Sequence, residues 1–365
     1  MNTIQHLRKL GQSLWLDSIS RPMLDDGRLK RYATELEVTG LTSNPTIFDE
    51  AIGTGAYDDD IARKSREGRS GEELFTELAL ADLRRAAELF RPVHERTQGV
   101  DGWVSMELSP LLAADTAGSV SAAARIHRAA ALPNLFVKIP GTREGVPAIE
   151  QSIFDGIPIN VTLLFSAEQY LASANAYLRG IERRIEAGRS AVVASVASLF
   201  VSRWDKAVAD KVPAALRNRL GIAIAQRTYV AYHDLYESAR WRKLAAAGAR
   251  PQRMLWASTG TKDPSAPESL YAEAFAAPDT IDTLPEKTLL ALSRLDHLPP
   301  AMPTNGGDSL HILAEFQRAG IDTDALALRL QREGAEAFVK SWHSLMERIA
   351  DKGRALGGMA RQKSG

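Results

Sequence analysis

Short apolar segments recur eight times between longer, helically patterned stretches, which predicts an α/β protein built as a single (β/α)8 TIM barrel with additional helices. Two further observations agree. No Pro/Gly/Ser-rich linker, internal repeat or low-complexity tract divides the 365 residues, and barrels of this kind reach that length as one domain. A doubly wound dinucleotide-binding sheet would need a G-x-G-x-x-G turn after its first strand, and Leu14-Trp15-Leu16-Asp17-Ser18 offers none. One domain is therefore expected over residues 1–365.

Taken in order, the first strand is read at Ser13–Asp17, an apolar run ending in a carboxylate. The second, Gly40–Asn44, ends just before Pro45. A helix follows over Glu72–Arg96, opened by Ser70 and Glu73 at capping-box spacing. Trp103–Leu108 is the third strand, and Ser121–Ala131 carries helical periodicity. The fourth strand, Leu135–Ile139, is closed by Pro140, and Pro158–Phe165 is the fifth. Ser166 and Gln169 open a helix to Ala187 with the same capping spacing, and Ala191–Phe200 is the sixth strand. One long helix is expected over Ile222–Ala247, then the seventh strand at Arg253–Thr259 and a weaker eighth at Asp279–Leu284. Pro299–Gly307 reads as a loop, followed by helices Ser309–Ala319 and Asp324–Lys352. Residues 353–365 are Gly- and charge-rich and read as a flexible tail.

Composition narrows the function. The chain is 45% hydrophobic and 25% charged, ordinary usage for a soluble globular protein. Basic and acidic residues balance at 45 each, so nothing in the charge predicts a nucleic-acid or anionic-membrane partner, and any anion site must be local. The absence of cysteine removes disulfides, thiolate nucleophiles and Cys-based metal sites. The N-terminal stretch lacks the apolar core of a signal peptide and no segment approaches a membrane span, so a cytoplasmic protein is expected. No two of the seven histidines share the H-x-x-x-H spacing of metal ligands, and neither metal nor cofactor is expected.

Lys138 stands out against this background. It lies in Leu135-Phe136-Val137-Lys138-Ile139-Pro140, a continuous apolar run of the kind seen in strands buried on both faces. A lysine taken out of water tends to lose its proton, and a neutral amine is the nucleophile of Schiff-base chemistry. A snorkelling or ion-paired lysine is the simple structural alternative. Other polar residues also end the apolar strands, where a barrel carries its chemistry. They are Asp17; Thr42, Ser43 and Asn44; Glu107; Asn160 and Thr162, two apart and hence on one strand face; Ser195 and Ser198 with Arg203 beyond; and Ser258 and Thr259 before Lys262. Each has an ordinary reading: Asp17 as an N-cap, Glu107 as an ion-pair partner, Asn160 and Thr162 as barrel-interior hydrogen-bonders. Together they form a general acid/base set around a candidate amine nucleophile.

At these residues the chain resembles the transaldolases, class I aldolases with a (β/α)8 barrel. The matching stretches are Leu16-Asp17, Gly40-Leu41-Thr42-Ser43-Asn44-Pro45, Val104-Ser105-Met106-Glu107, Val137-Lys138-Ile139-Pro140, Asn160-Val161-Thr162-Leu163-Leu164-Phe165-Ser166 and Ser198-Leu199-Phe200-Val201-Ser202-Arg203. They run in the family's order, and the Thr42-to-Phe48 stretch looks most like its larger bacterial and plant-type subfamily. The resemblance implies Lys138 as the Schiff-base lysine and Asp17 as the general acid/base. It implies that Glu107 and Thr162 position water, that Asn44 and Asn160 hold the three-carbon fragment, that Ser198 and Phe200 line the pocket, and that Arg203 binds phosphate. It further implies sugar phosphates as substrates, with dihydroxyacetone moving between sedoheptulose 7-phosphate or fructose 6-phosphate and glyceraldehyde 3-phosphate or erythrose 4-phosphate. Monomer and homodimer are both compatible with the sequence.

One departure stands out. Shorter transaldolases carry a second phosphate arginine after the seventh strand as Ser-x-Arg, whereas this chain reads Ala257-Ser258-Thr259-Gly260-Thr261-Lys262. Ser258 and Lys262 are the substituting candidates, Lys262 as a point charge rather than a bidentate fork. The alternatives are a fructose 6-phosphate aldolase, which as a family tends to have glutamine at the Glu107 position, and a non-catalytic sugar-phosphate-binding barrel. Thr304-Asn305-Gly306-Gly307-Asp308 lacks a P-loop lysine and reads as a turn.

Overall fold

The computed structural model describes Asn2–Lys363. Eight parallel strands close a barrel in chain order: β1 Ser13–Leu16, β2 Val38–Leu41, β3 Val104–Glu107, β4 Leu135–Pro140, β5 Ile159–Leu164, β6 Ser195–Phe200, β7 Arg253–Ala257 and β8 Ile281–Leu284. β8 returns to pair with β1, Ser13 to Leu16 facing Ile281 to Leu284 in register. Closure removes every open edge.

The alternation of side chains along each strand divides the protein into two apolar regions. Leu14, Leu16, Val137, Ile139, Val161, Ala197 and Met254 point outward and pack beneath the helices. Trp15, Phe136, Val196, Leu255 and Ile281 point inward and fill the lower barrel with Trp103, whose ring stacks on Phe136 at 4.1 Å. Each such buried large side chain contributes on the order of 2–3 kcal/mol. Period-2 alternation turns Glu107, Lys138, Asn160, Thr162 and Ser198 inward. Bulky rings occupy the lower interior, so Glu107, Lys138, Thr162 and Ser198 lie in the C-terminal halves of their strands, while Asn160 is second in β5.

Several boundaries differ from the sequence expectation, each for a local reason. Thr42, Ser43 and Asn44 lie beyond β2, and β6 starts only at Ser195, since Val193 N–H turns back to the Ala191 carbonyl (3.2 Å) and its carbonyl accepts from the Tyr177 hydroxyl (3.2 Å). The expected Ile222–Ala247 helix is two, Leu220–Glu237 and Ala239–Ala246. Ser238 takes an extended conformation, and its hydroxyl accepts from Trp241 N (3.1 Å) to start the second. Ser70 does cap Gly71–Arg96, but its side chain makes no capping bond. Ser166 accepts from Gln169 N (3.2 Å), while the Gln169 side chain accepts from Phe165 N rather than from the cap itself. Thr304–Asp308 is a turn into helix Ser309–Arg318, closed by the Asn305 side chain accepting from Gly307 N (3.0 Å).

The C-terminal helix runs from Thr323 to Lys363, so the expected tail from Gly353 continues the helix through Lys363; Ser364 and Gly365 lie outside the described residues. The helix is docked rather than free. Trp342 meets Phe75 edge-on (5.2 Å), and Arg348 and Ser344 bond Asp49 at 2.6 and 2.8 Å on helix Pro45–Gly53. Among the described residues no helix is long and apolar enough to cross a membrane.

Candidate active site

Lys138 enters the barrel near the top of β4, with Glu107 of β3 and Asn160 of β5 as its in-register neighbours. Only 5% of it is exposed. Its Nζ donates to the Ser43 carbonyl (3.1 Å) and lies 3.3 Å from Glu107 Oε2, which has no hydrogen-bond partner of its own. The contact with Glu107 is therefore an ion pair in a region with little water. Burial pushes the Glu107 carboxyl above the usual carboxylate range, against the opposing pull of Lys138.

Asp17 follows β1 directly and faces the same space. Burial raises its carboxyl too, opposed by the hydrogen bond from Thr42 and the charges of Lys138 and Lys262. Thr42 Oγ1 donates to Asp17 Oδ1 (2.7 Å) and also contacts Thr283 Oγ1 (2.7 Å). It thereby fixes which way the carboxylate points. Two carboxylates with raised pKa values flanking a buried amine form the kind of arrangement that moves protons near neutral pH.

These groups border a cavity of about 120 Å³, lined by Asp17, Asn44, Lys138, Thr162, Ser198, Phe200, Arg203, Ser258 and Lys262. Asn44 Oδ1 caps the next helix by accepting from Ile47 N (3.0 Å), which leaves its amide N–H groups for the cavity. Thr162 Oγ1 is buried and has no partner. Glu107 stands beside Lys138 rather than on the cavity wall. Asn160 is also absent from the wall, because its amide is engaged below: Nδ2 donates to Ser105 Oγ (3.2 Å), and Oδ1 accepts from Ser198 Oγ (2.7 Å). Asn160 thus ties Ser198 of β6 to Ser105 of β3.

Cations gather at the mouth. The Arg203 guanidinium lies over the Phe200 ring (5.1 Å) and beside Phe338 (5.7 Å), and burial holds it below its usual value. Lys262 is exposed at the rim, yet partial desolvation of its ammonium, with Lys287, Arg203 and Lys206 nearby, lowers it as well. Ser258, with φ +56, contacts Ser202 Oγ (3.0 Å). Leu163, next to Thr162, also holds a left-handed φ of +59. Non-glycine residues in that region are uncommon, and they cluster at functional sites.

Thr42, Thr283 and Phe338 belong to this site without having been assigned a role from sequence. Thr42 stood in the Thr-Ser-Asn run at the end of the second strand. Phe338 had no available signal, since its apolar position suits any core-facing helix stripe. Among the described residues no group of three or more His, Asp or Glu side chains is placed to hold a metal ion.

Comparison with known proteins agrees with this geometry. Residues 14–349 match the family model described as transaldolase/fructose-6-phosphate aldolase. A transaldolase of Thiobacillus denitrificans is 43% identical over 358 residues, covering 96% of this chain and 100% of that protein. The chain belongs to the transaldolase/fructose-6-phosphate aldolase family. A transaldolase of Thermobifida fusca is 42% identical over 366 residues (96% and 98% covered), and a transaldolase 2 of Nostoc punctiforme 36% over 376 (97% and 98%). For a family member of this kind the end of the seventh strand is informative. Lys262 lines the same cavity as Arg203, and the two cations are near enough for Arg203 to disfavour its charge.

Proposed function

We propose that the protein is a transaldolase that carries dihydroxyacetone on Lys138 from a ketose phosphate to an aldose phosphate. The observation that carries the reading is the buried Lys138 amine 3.3 Å from Glu107, opening on a cavity shared with Asp17 and Thr162. The amine attacks the ketose carbonyl after passing a proton to a neighbouring carboxylate, for which Glu107 is the nearest acceptor. Loss of water then gives a protonated imine, with Glu107 and Thr162 guiding that water.

The iminium draws the electrons of the adjacent carbon–carbon bond as Asp17 takes the proton of the neighbouring hydroxyl. The aldose departs and an enamine remains on Lys138. A second aldose enters, the enamine carbon attacks its aldehyde, and Asp17 returns the proton. Water then hydrolyses the imine to release the new ketose. Arg203 and Lys262 meet the phosphate, Arg203 with a planar fork and Lys262 as a point charge. Asn44, Ser198 and Ser258 supply hydrogen bonds along the chain of hydroxyls, while Phe200 forms an apolar wall and Asn160 holds Ser198. Partners on this reading are small sugar phosphates, with no nucleic acid, membrane, metal or cofactor, and the setting is cytoplasmic.

The second reading, a fructose 6-phosphate aldolase that releases free dihydroxyacetone, shares the fold and the lysine. Glu107, where those enzymes tend to have glutamine, favours transfer. Incubating the protein with fructose 6-phosphate and erythrose 4-phosphate separates the readings. Transfer gives sedoheptulose 7-phosphate and glyceraldehyde 3-phosphate in equal amounts, also in the presence of EDTA. Free dihydroxyacetone as the main product would establish the aldolase instead, and no turnover would leave a binding barrel.

A further inference from the structure

The C-terminal helix touches the cavity through one face, and that face makes contacts no general packing role requires. Gln331 Nε2 donates to two main-chain carbonyls at once, Gly141 O and Leu163 O, each at 3.0 Å. Both flank Thr162. Gly141, just past β4, donates its own N–H to the Thr162 carbonyl (2.8 Å), and Leu163 is the next residue along β5. Leu163 holds a left-handed φ of +59, and the β5–β6 register slips between Val161 and Leu164. A bulge of this kind re-aims the neighbouring side chain, and it persists only where the surroundings hold it. Here the side chain beside the bulge is Thr162, whose buried hydroxyl has no partner and lines the cavity.

One turn further on, Gly334 lies so close that a Cβ there would sit 2.9 Å from Arg203 Nη1 and 2.9 Å from Leu163 Cδ2. The guanidinium thus rests in a gap that a missing side chain creates. Phe338, the next residue on this face, flanks the same guanidinium at 5.7 Å. Among the described residues Arg203 makes no hydrogen bond or ion pair, so aromatic faces and the Gly334 gap fix its position while its N–H groups stay free.

We propose that the Gln331–Gly334–Phe338 face of the C-terminal helix is part of the active site. Gln331 is a positioning residue that aims Thr162 through the β5 bulge, and Gly334 sets selectivity for phosphorylated substrates by seating Arg203. The inference rests on the roles proposed above for Thr162 and Arg203. A helix contributed from the far end of the chain therefore tunes both the water step and phosphate recognition.

Two variants test it. Gln331→Met keeps length and removes both donors. Its kcat should fall about tenfold or more with KM little changed, because a small misplacement of a reacting group is costly. Borohydride-trappable imine should form more slowly in proportion, and the loss should vanish in a Thr162→Ala background. An equal loss in both backgrounds, or an unchanged kcat, overturns the positioning role. Gly334→Ala should raise KM for fructose 6-phosphate about tenfold and lower kcat/KM for fructose far less, since only a phosphorylated substrate calls on Arg203. Equal losses on both substrates, or no change on either, overturn the selectivity role. Alanine favours helix over glycine, so the melting temperature of Gly334→Ala should not fall, and this variant carries the test if Gln331→Met does not fold. Wild-type protein that forms no imine at Lys138 refutes the proposed function instead, which keeps the two failures apart.

Discussion

Lys138 can stay inside a barrel because two acceptors meet its Nζ, the Ser43 carbonyl and Glu107. Removing one partner of a buried ion pair is usually costly, since the other charge is left stranded. Glu107 has a way out: burial already pushes its carboxyl upward, so without Lys138 it can take a proton. Lys138→Ala should therefore lose all transfer activity while its far-UV circular dichroism and cooperative melting stay those of the wild type. A collapsed spectrum would make Lys138 a structural residue. Buried carboxylates also lie outside the site, and Asp282 is one of them. Asp282 of β8 points away from the barrel interior, is fully buried, and has no partner on either oxygen. The Thr259 hydroxyl donates to the Thr283 carbonyl (2.9 Å) rather than to it. Burial pushes its pKa up to about 8. The folded state then holds a proton that the unfolded chain has released by about pH 4, so the stability this proton supplies is lost as pH rises between those values. Asp282→Asn, fixed in the neutral form, should gain on the wild type by about 1.4 kcal/mol per pH unit between pH 5 and 8 in urea titrations. Parallel pH profiles for the two proteins would rule out a protonated Asp282.

At the scale of elements, the strands were the legible part, because buried parallel strands print continuous apolar runs with a polar residue at the end. What blurred the helices was chemistry that sequence spacing does not separate. Ser238 reads as one tolerated polar residue in a long helical stretch, yet its hydroxyl restarts the helix at Ala239. Helix Gly145–Asp155 is absent from the sequence reading because Gly145 and Pro147 look like breakers, although both fall in the first turn, where proline is tolerated. The β5 bulge has no sequence signature at all, since leucine gives no warning of a left-handed conformation. Gly40 of β2 illustrates the reverse case, a glycine whose need becomes plain only in three dimensions. A Cβ there would lie 2.6 Å from the Trp103 carbonyl and 2.8 Å from the Trp15 ring. Neither neighbour can retreat, one being backbone and the other wedged in the barrel floor. Gly40→Ala should cost about 1–3 kcal/mol in chemical denaturation, the range for overpacking a core. A loss below about half a kcal/mol would mean that the floor is softer than its packing implies.

Across the whole molecule, formal neutrality conceals a local arrangement. The chain carries equal numbers of acidic and basic residues, yet Arg203 after β6 and Lys262 after β7 meet at one mouth, above carboxylates from the first and third strands. Closure of the barrel in chain order does this. It turns strand ends scattered over residues 17 to 262 into one ring of functional groups, which is why the site was largely readable once the strands were found. The C-terminal helix was not readable in the same way. Its path across the cavity depends on contacts such as Arg348 with Asp49 and Trp342 with Phe75, which join residues far apart in sequence. The central claim is that carbon–carbon bond cleavage runs through a covalent bond to Lys138. Borohydride reduction in the presence of fructose 6-phosphate, followed by peptide mapping, tests it most directly. The account predicts inactivation together with a stable sugar-derived adduct on the peptide bearing Lys138. An active, unmodified enzyme, or an adduct on another lysine, would contradict it.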